Sequence, residues 1–454
     1  MYRNKKGKLN YDLVLKVFRE MLPIIKESAN KEAPVITFKT SEGKDVCAPI
    51  INSTEVFIEE FYKEEIRDIA NDFIKSEQIS DTVSEEFVYK NILRILCSRE
   101  LYDLETINSS NALWVFEKLK DAINREVEST KVIIIPIVGA FLNRGETCVV
   151  GSIEFINSQD FIDKYSFFLD SGEGNEIHAN LFEKLRKFSD NCSLIAQVKI
   201  PNRGNDIAEI IANEIIKRVC ALVRAVLPIC GKNHAYFGFL GEEFLENRIY
   251  LIVDEDLDNE SNTNPFTRMK ITRNQPFHKD LNLLQALLPY QQSDGFFSRC
   301  ESIISKVIKH EKLTDFEQRI WTALYWFGES LSERELNPLI IKYATCLEAL
   351  FNSREGGISE QISEFAAHVI GTSTEDRMEV YQKVKELYSL RSSSVHGGST
   401  EKKVDEDFLF FIRDICRSAL LRMAYLAGEE YYKDAKGYTK FVKYILREHR
   451  FFGM

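Results

Sequence analysis

Residues 387–398 read LYSLRSSSVHGG, in which four residues separate Arg391 from His396. At 100° per residue, five side chains of this segment fall within about 80° of one another on a helix. They are Val380, Val384, Leu387, Arg391 and Val395. We therefore predict a helix whose buried face carries an arginine near its middle. Because a guanidinium cannot be neutralised by deprotonation, it must either pair with a carboxylate or serve a function.

The histidine and the two glycines that follow favour a functional arginine over a purely structural ion pair. On an ideal helix His396 lies about 140° from Arg391, too far round for both side chains to serve one small site. Either the helix unwinds just before His396, which Gly397 and Gly398 would allow with positive φ, or two copies of the segment face each other. Both arrangements place a fixed cation and a group that titrates near neutrality beside one substrate. Such a pair suits phosphodiester cleavage, in which imidazole moves protons and guanidinium holds the phosphate.

Three segments, in order, resemble the Apea-like branch of the HEPN-domain ribonucleases. Arg391 and His396 resemble the R-x(4–6)-H signature of this family, and residues 387–398 resemble its active-site helix. Residues 343–351, YATCLEALF, resemble its LEALF helix, and residues 316–327 resemble the helix before that one.

The resemblance covers residues 310–430 and departs from the family pattern at two positions. Many members carry Asn, Asp or His where this chain has Ser392, which is the candidate for an auxiliary polar role. Related sequences often have a basic residue where this chain has Phe365.

The resemblance implies an all-α HEPN helical bundle at the C-terminal end. Together with the mixed N-terminal α+β domain that the sequence pattern predicts, this gives an α+β fold class. It further implies a metal-independent endoribonuclease that cleaves tRNA or other host RNA in bacterial antiphage defence. The ribose 2′-OH would attack the adjacent phosphate and leave a 2′,3′-cyclic phosphate, with His396 exchanging protons and Arg391 stabilising the phosphorane. Besides RNA, the implied partners are a second copy of the HEPN domain and a phage-derived trigger or regulatory protein. No cofactor is expected.

Two competing functions stay open. In the first, the bundle is a non-catalytic HEPN module for dimerisation or partner binding in a defence or toxin–antitoxin complex. In the second, the chain is a toxin whose partner, such as a nucleotidyl transferase, modifies or blocks the domain.

Two side chains are candidates for supporting roles beside Arg391. Glu348 lies within the stripe of an otherwise apolar helix, so we expect it to pair with Arg391, as a structural ion pair or to orient His396. Tyr388 lies about one turn before Arg391. It is a candidate for hydrogen bonding to a phosphate or base, or for a position in the core or a dimer interface.

Composition is that of an ordinary globular protein, with 44% hydrophobic and 28% charged residues. No apolar run approaches the roughly 18 residues of a membrane span, and the basic N-terminus lacks the apolar stretch of a signal peptide. Nine cysteines without C-x-x-C spacing indicate reduced thiols in the cytoplasm rather than disulfides or a zinc site. No metal site is expected, and Asp254–Asp258 is more simply a solvated acidic turn than a Mg²⁺ site.

Net charge is unevenly distributed along the chain. The total is −11, and the residues from 301 onward contribute 24 acidic and 22 basic side chains, so most of the excess lies in the first 300 residues. Because the C-terminal part itself has a net charge of −2, we expect weak intrinsic affinity for RNA, with selection by shape or through a partner.

A change of hydrophobic period near residue 131 organises the chain. We predict an N-terminal sensing or regulatory region at 1–295, helical at 1–130 and mixed at 131–295, and a HEPN domain at 296–454. The predicted helices are 11–28, 56–75, 85–100, 111–127, 206–227, 281–288, 296–310, 313–330, 336–352, 358–370, 376–394, 404–427 and 431–448. The predicted strands are 34–39, 131–138, 147–155, 193–200 and 248–253. We also predict a hairpin turn at Leu142–Gly145 and an exposed polar loop at Asp254–Asn274.

Overall fold

A computed structural model of the chain describes residues 2, 8–29, 35–39, 45–49, 53–98, 108–170, 192–227, 238–239, 250–254, 266–270, 281–293, 295–333, 335–353, 357–395, 404–434 and 436–452. Two compact units can be distinguished. The first comprises Met1–Lys131 with Pro201–Ile210, and the second Val132–Ile200 with Ile211–Met454. The N-terminal segment of the first unit ends at Lys131, where the hydrophobic period of the sequence changes. A separate domain beginning at residue 296 stays a prediction. No helix of the described residues is long and apolar enough to cross a membrane.

The first unit consists of helices around an aromatic core, together with one antiparallel pair of strands. Its elements are α1 (Tyr11–Ala29), β1 (Val35–Lys39), β2 (Asp45–Pro49), α2 (Ser53–Glu77), α3 (Glu85–Leu96) and α4 (Ser109–Glu128). The ring of Phe116 in α4 stacks with those of Phe18 and Phe73, at centroid distances of 6.2 and 5.4 Å. Asn108 begins α4 with a capping box, which satisfies backbone N–H groups that the helix leaves free.

Residues Pro201–Ile210 complete the first unit from a distant part of the sequence. Gly204 N donates to Thr82 O at 2.8 Å. Asn205 N donates to Glu126 Oε1 at 2.9 Å. Ser84 Oγ, which accepts from the first turn of α3, donates to Asp206 Oδ2 at 2.8 Å. These bonds tie the start of a long helix to α3 and α4.

In the described part of the second unit, seven strands form one sheet. They are β3 (Lys131–Val138), β4 (Thr147–Val150), β5 (Ile153–Asn157), β6 (Leu194–Ile200), β7 (Gly238–Phe239), β8 (Tyr250–Asp254) and β9 (Phe266–Lys270). The order is β4-β5-β6-β3-β8-β9, and β7 pairs with β3. The pairs β4–β5, β5–β6, β3–β7 and β8–β9 are antiparallel. β3 is buried along its whole length, which explains its unbroken apolar run.

The predicted single strand at 147–155 and the hairpin turn before it are wrong. β4 and β5 are separate strands that pair across Gly151 and Ser152, whose φ angles are +56° and +72°. Positive φ at both central residues is the geometry that joins two adjacent strands through a two-residue loop. Leu142–Gly145 lies between β3 and β4 in the sequence, but these two strands do not pair. β3 lies beside β6 in the sheet, and β4 lies at the edge of the sheet.

The predicted polar loop at 254–274 contains a strand. β9 lies within it and pairs with β8 from Tyr250–Lys270 to Val253–Phe266, with a register shift after Ile252. The polar residues before β9 make the whole segment look like a loop. Its extended backbone is stabilised by hydrogen bonds to β8, which the local sequence does not show. Asp254 ends β8, and the rest of the acidic turn, residues 255–258, lies outside the described residues.

The helices that complete the description are α5 (Ser158–Asp170), α6 (Asn205–Val226), α7 (Leu283–Gln292), α8 (Phe296–Ile308), α9 (Asp315–Ser332), α10 (Leu336–Phe351), α11 (Ile358–Ile370), α12 (Thr374–Val395), α13 (Glu406–Gly428) and α14 (Gly437–Phe452). From Leu283 onward, the described residues form helices and a short 3₁₀ turn at Glu430–Tyr432. The chain is therefore mostly helical with antiparallel strands, which agrees with the predicted α+β class. The last predicted helix begins six residues too early, because the 3₁₀ turn and the following loop precede α14.

Aromatic rings join the helices around α14. Phe316 of α9 lies 5.6 Å from both Tyr438 and Phe441, measured between ring centroids. Phe365 of α11 lies 6.2 Å from Phe441 and 6.4 Å from Phe351 of α10. Phe365 is almost completely buried. An aromatic side chain at this position therefore contributes to the core of the helical part of the second unit.

Candidate functional site

Arg391 lies in the last turn of α12, where the buried face of that helix ends. Val380, Val384 and Leu387 are buried as predicted, but the Arg391 side chain is 34% exposed and Val395 is 60% exposed. The prediction that Arg391 lies in the middle of a buried face is therefore wrong. The apolar stripe continues in the sequence, but the helices of the described residues leave it uncovered beyond this turn.

The guanidinium of Arg391 forms a two-pronged ion pair with the carboxylate of Glu348 in α10. Nη1 lies 3.2 Å from Oε1, and Nη2 lies 3.5 Å from Oε2. The Glu348 side chain is 19% exposed, so the pair is largely shielded on the carboxylate side. This contact confirms the predicted pairing. Because the planar fork matches a carboxylate, it fixes the orientation of the guanidinium as well as its position.

Tyr388 supports the same carboxylate from within α12. Its hydroxyl lies 3.3 Å from Glu348 Oε1 and 3.4 Å from the carbonyl oxygen of Ala344, so it can donate to either acceptor. The ring centroid lies 5.9 Å from Cζ of Arg391. Burial and the negative charge of Glu348 raise the pKa of the Tyr388 hydroxyl well above its ordinary value. The hydroxyl therefore stays protonated and acts as a neutral donor.

Arg391 keeps donor groups that the ion pair does not use. A guanidinium carries five N–H groups, and Glu348 accepts a hydrogen bond from Nη2 and forms an ion pair with Nη1. Nε is buried and has no hydrogen-bond partner among the described residues. The terminal nitrogens each retain one N–H, and the side chain is open to solvent on one side. A phosphate oxygen reaching this opening would meet a cation that is already oriented.

The serines that follow Arg391 play different parts in the last turn of α12. Ser394 Oγ lies 3.0 Å from the carbonyl oxygen of Leu390 and 3.2 Å from Oδ1 of Asn337, near the start of α10. Ser392 is exposed and lies about 100° round the helix from Arg391. The structure therefore brings Arg391, Glu348 and Tyr388 together, whereas Ser392 lies on another side of the helix.

His396, Gly397 and Gly398 lie outside the described residues. Helix α12 ends at Val395, immediately before His396. Whether the histidine reaches the Arg391 guanidinium of the same chain or of a second copy stays a prediction.

Arg319 in α9 is a further contributor that reasoning about the signature alone does not identify. Its Nη1 donates to the carbonyl oxygens of Ala349 and Asn352, at 3.3 and 2.9 Å, at the C-terminal end of α10. Its Cζ lies 3.7 Å from the ring centroid of Tyr438. A cation at the end of a helix stabilises the carbonyl groups that lack intrahelical partners. Arg319 thus anchors the helix that presents Glu348, and the only sequence signal was its presence in the segment 316–327.

Within the described ranges, no three or more His, Cys, Asp or Glu side chains come together in a way that could hold a metal ion. No family model, curated protein or solved structure matches the chain.

Proposed function

We propose that the chain is a HEPN-type endoribonuclease of bacterial antiphage defence, in which Arg391 and His396 perform metal-independent cleavage of RNA. The observation that carries the proposal is the oriented, partly exposed guanidinium of Arg391 at the end of α12, directly before the segment that contains His396. The resemblance of residues 310–430 to that family of nucleases supplies the reaction and the helical-bundle fold.

In the proposed reaction, the ribose 2′-OH loses its proton to His396 and attacks the adjacent phosphorus. Two N–H groups of Arg391 donate to the phosphate oxygens, whose negative charge increases in the phosphorane. The bond to the 5′ oxygen breaks, the protonated histidine of the site returns a proton to that oxygen, and the RNA is left with 2′,3′-cyclic phosphate and 5′-OH ends.

Glu348 and Tyr388 act in this proposal as positioning residues. The two-pronged contact of Glu348 holds the guanidinium plane, so no orientation has to be imposed when the substrate binds. Tyr388 donates a hydrogen bond that holds the carboxylate in turn. The negative charge of Glu348 partly cancels the positive charge of Arg391 beside the phosphate. Stabilisation of the phosphorane therefore depends mainly on the directed hydrogen bonds of the guanidinium.

The alternative function is a non-catalytic HEPN module for dimerisation or partner binding. The same ion pair favours it, because Arg391 already has a carboxylate partner and satisfies the requirement of a structural cation. In that case neither Arg391 nor His396 would be needed for any cleavage of RNA.

Mapping of RNA ends distinguishes the two functions. Purified full-length protein is incubated with total bacterial RNA, and the new ends are sequenced for the wild type, Arg391→Ala and His396→Ala. We expect cyclic-phosphate ends from the wild type and at least about 100-fold less cleavage from either variant. Arg377→Ala is the matched control in the same helix, because the Arg377 side chain donates to Gly371 O rather than to Glu348. Equal cleavage by all four proteins would disprove the assigned site, and no cleavage by the wild type would favour the alternative.

A further inference from the structure

The C-terminal end of this acidic chain is basic. Residues 431–454 contain six Lys and Arg residues and two carboxylates, whereas the whole chain has a net charge of −11. In α14 and the residue before it, Lys436, Lys440, Lys443 and Tyr444 fall within roughly 100° of one another on a helix. Lys436, Lys443 and Tyr444 are exposed, and Lys440 is partly exposed. A positive row therefore faces solvent along the first half of α14.

Two tyrosine rings accompany this row. Tyr431 is 62% exposed and Tyr444 is 51% exposed. Lys440 positions Tyr431, because its Nζ donates to Tyr431 O at 3.0 Å and lies 4.8 Å from the ring centroid. The same ammonium forms an ion pair with Asp434 Oδ2 at 2.8 Å, so its charge is already balanced. The ring centroids of Tyr431 and Tyr432 lie 5.0 Å apart, and Tyr444 lies on the same side of α14 as the lysines. The exposed rings thus lie beside the lysines on a shared surface.

The opposite side of α14 belongs to the core. Tyr438, Phe441, Val442 and Ile445 are buried, and the first two contact the ring of Phe316. A helix that binds at a membrane surface needs its apolar side free to enter the lipid. Because this side is occupied by the protein, the exposed side offers ammonium groups and aromatic faces. These are the groups that bind the phosphates and the unpaired bases of single-stranded nucleic acid.

We propose that Tyr431, Lys436, Lys440, Lys443 and Tyr444, here called the C-terminal platform, bind a single-stranded segment of the RNA substrate. Lys436 and Lys443 would contact phosphates, Lys440 would hold Tyr431 in place, and the tyrosine rings would stack on bases. The inference rests on the proposed ribonuclease function for the choice of RNA. The platform would also supply affinity for RNA, which the net negative charge of the chain does not favour.

The Arg319 side chain connects α14, which carries most of the C-terminal platform, with the candidate site. Arg319 stacks on Tyr438 of α14 and donates to the carbonyl oxygen of Ala349, the residue that follows Glu348. RNA held on the platform is therefore bound by a helix that is fixed to the helix of the Arg391–Glu348 pair.

RNA binding by full-length protein tests the platform. The probe is a fluorescein-labelled, unstructured RNA of about 16 nucleotides, and its anisotropy is measured in an Arg391→Ala background that prevents cleavage. We expect Lys436→Glu with Lys443→Glu to weaken binding at least tenfold and to reduce the slope of log K against log salt by about 1.4 for two lost phosphate contacts. Lys16→Glu with Lys75→Glu changes the net charge equally in the first unit, at two exposed lysines, and should leave binding almost unchanged.

A second substitution isolates stacking. Tyr444→Phe should keep the affinity, whereas Tyr444→Leu should lose about fivefold or more, because a base can stack on phenylalanine but not on leucine. Equal affinity of the platform variants and their parent would overturn the inference. So would lysine-dependent binding of phosphatidylserine vesicles in place of RNA.

Cleavage by protein with an intact Arg391 separates the two proposals. RNA binding through the platform without any cleavage would remove the ribonuclease function and leave the platform. Cleavage and binding that are both insensitive to the platform substitutions would remove the platform and leave the ribonuclease function.

Discussion

The guanidinium of Arg391 and the carboxylate of Glu348 form a bidentate contact, with Nη1 3.2 Å from Oε1 and Nη2 3.5 Å from Oε2. This contact joins the end of α12 to the second half of α10. Removing either partner leaves a partly shielded charge without its counterion. Since about a third of the arginine side chain is exposed, water screens part of that loss.

A double-mutant cycle measures this relationship. Arg391→Ala and Glu348→Ala should each lower the free energy of unfolding, and the double variant should lose less than the sum, with a coupling energy of about 1 kcal/mol. Urea unfolding of the four proteins supplies the numbers. Strictly additive losses would mean that the contact contributes nothing to stability.

Glu348→Gln separates positioning from charge. The amide keeps one acceptor for the guanidinium but loses the two-pronged contact, so the wild-type orientation of Arg391 should weaken. We expect kcat for RNA cleavage to fall roughly tenfold with a smaller change in KM, because orientation matters most in the transition state. A change confined to KM would indicate that Glu348 affects only the binding of substrate.

Tyr388→Phe should change the dependence of stability on alkaline pH. Burial and the charge of Glu348 raise the pKa of this hydroxyl in the folded state, while the unfolded chain ionises near pH 10. The neutral hydroxyl thus stabilises the fold below about pH 10, and that contribution falls by about 1.4 kcal/mol per pH unit above it. Urea unfolding at several pH values should show a smaller alkaline loss for the phenylalanine variant. Parallel curves would contradict the protonated role assigned to Tyr388.

Chelation tests the proposed chemistry. The mechanism assigns every proton and charge to His396 and Arg391, so cleavage should persist in excess EDTA, with cyclic phosphates on the products. If EDTA abolished cleavage and Mg²⁺ or Mn²⁺ restored it, the reaction would have to be assigned to carboxylates, with Asp254–Asp258 as the first candidates.

Mixing experiments test the proposed dimer. If the Arg391 of one copy works with the His396 of another, then Arg391→Ala protein mixed with His396→Ala protein should recover part of the cleavage that each lacks. A heterodimer would contain one intact pair, which limits recovery to about half of the wild-type activity per dimer. A monomer at micromolar concentration that cleaves RNA fully would exclude a shared site.

Gly151 and Gly145 form a matched pair for testing the sheet. Both have positive φ, +56° and +78°, so alanine at either position costs roughly 1 kcal/mol of backbone strain. A Cβ at Gly151 would also lie 2.8 Å from two carbon atoms of Ile304, whereas a Cβ at Gly145 would meet nothing within 4 Å. Gly151→Ala should therefore be less stable than Gly145→Ala by about 1–3 kcal/mol, measured by thermal or urea unfolding. Equal losses would show that the close approach to α8 can relax without cost.

Helical periodicity predicts the C-terminal helices well, because each buries one face against its neighbours. The helix at 358–370 has the predicted bounds, and Glu348 pairs with Arg391 because an isolated carboxylate on an apolar face needs a counterion. Periodicity cannot tell where a buried face stops being covered. Val395 continues the stripe in sequence but is exposed, because coverage depends on which helices lie nearby.

The errors in the sheet have a local cause. Gly151 and Ser152 form a turn through positive φ, yet serine is uncommon in that conformation and the flanking residues read as one strand. β9 is recognisable through its partner β8, which supplies hydrogen bonds that the sequence of either segment does not reveal. The role of Arg319 is similar, since its acceptors lie 30 and 33 residues away.

The discontinuous first unit has a consequence for protein synthesis. Its contacts at Thr82, Ser84 and Glu126 are made by residues of Pro201–Ile210. On the ribosome, the N-terminal helices therefore wait for about 70 further residues before their last partners emerge, a delay of several seconds at ordinary rates of translation. During that interval α3 and α4 are exposed to chaperones and proteases without these bonds. A fragment that stops at Lys131 would remain in that unfinished state permanently.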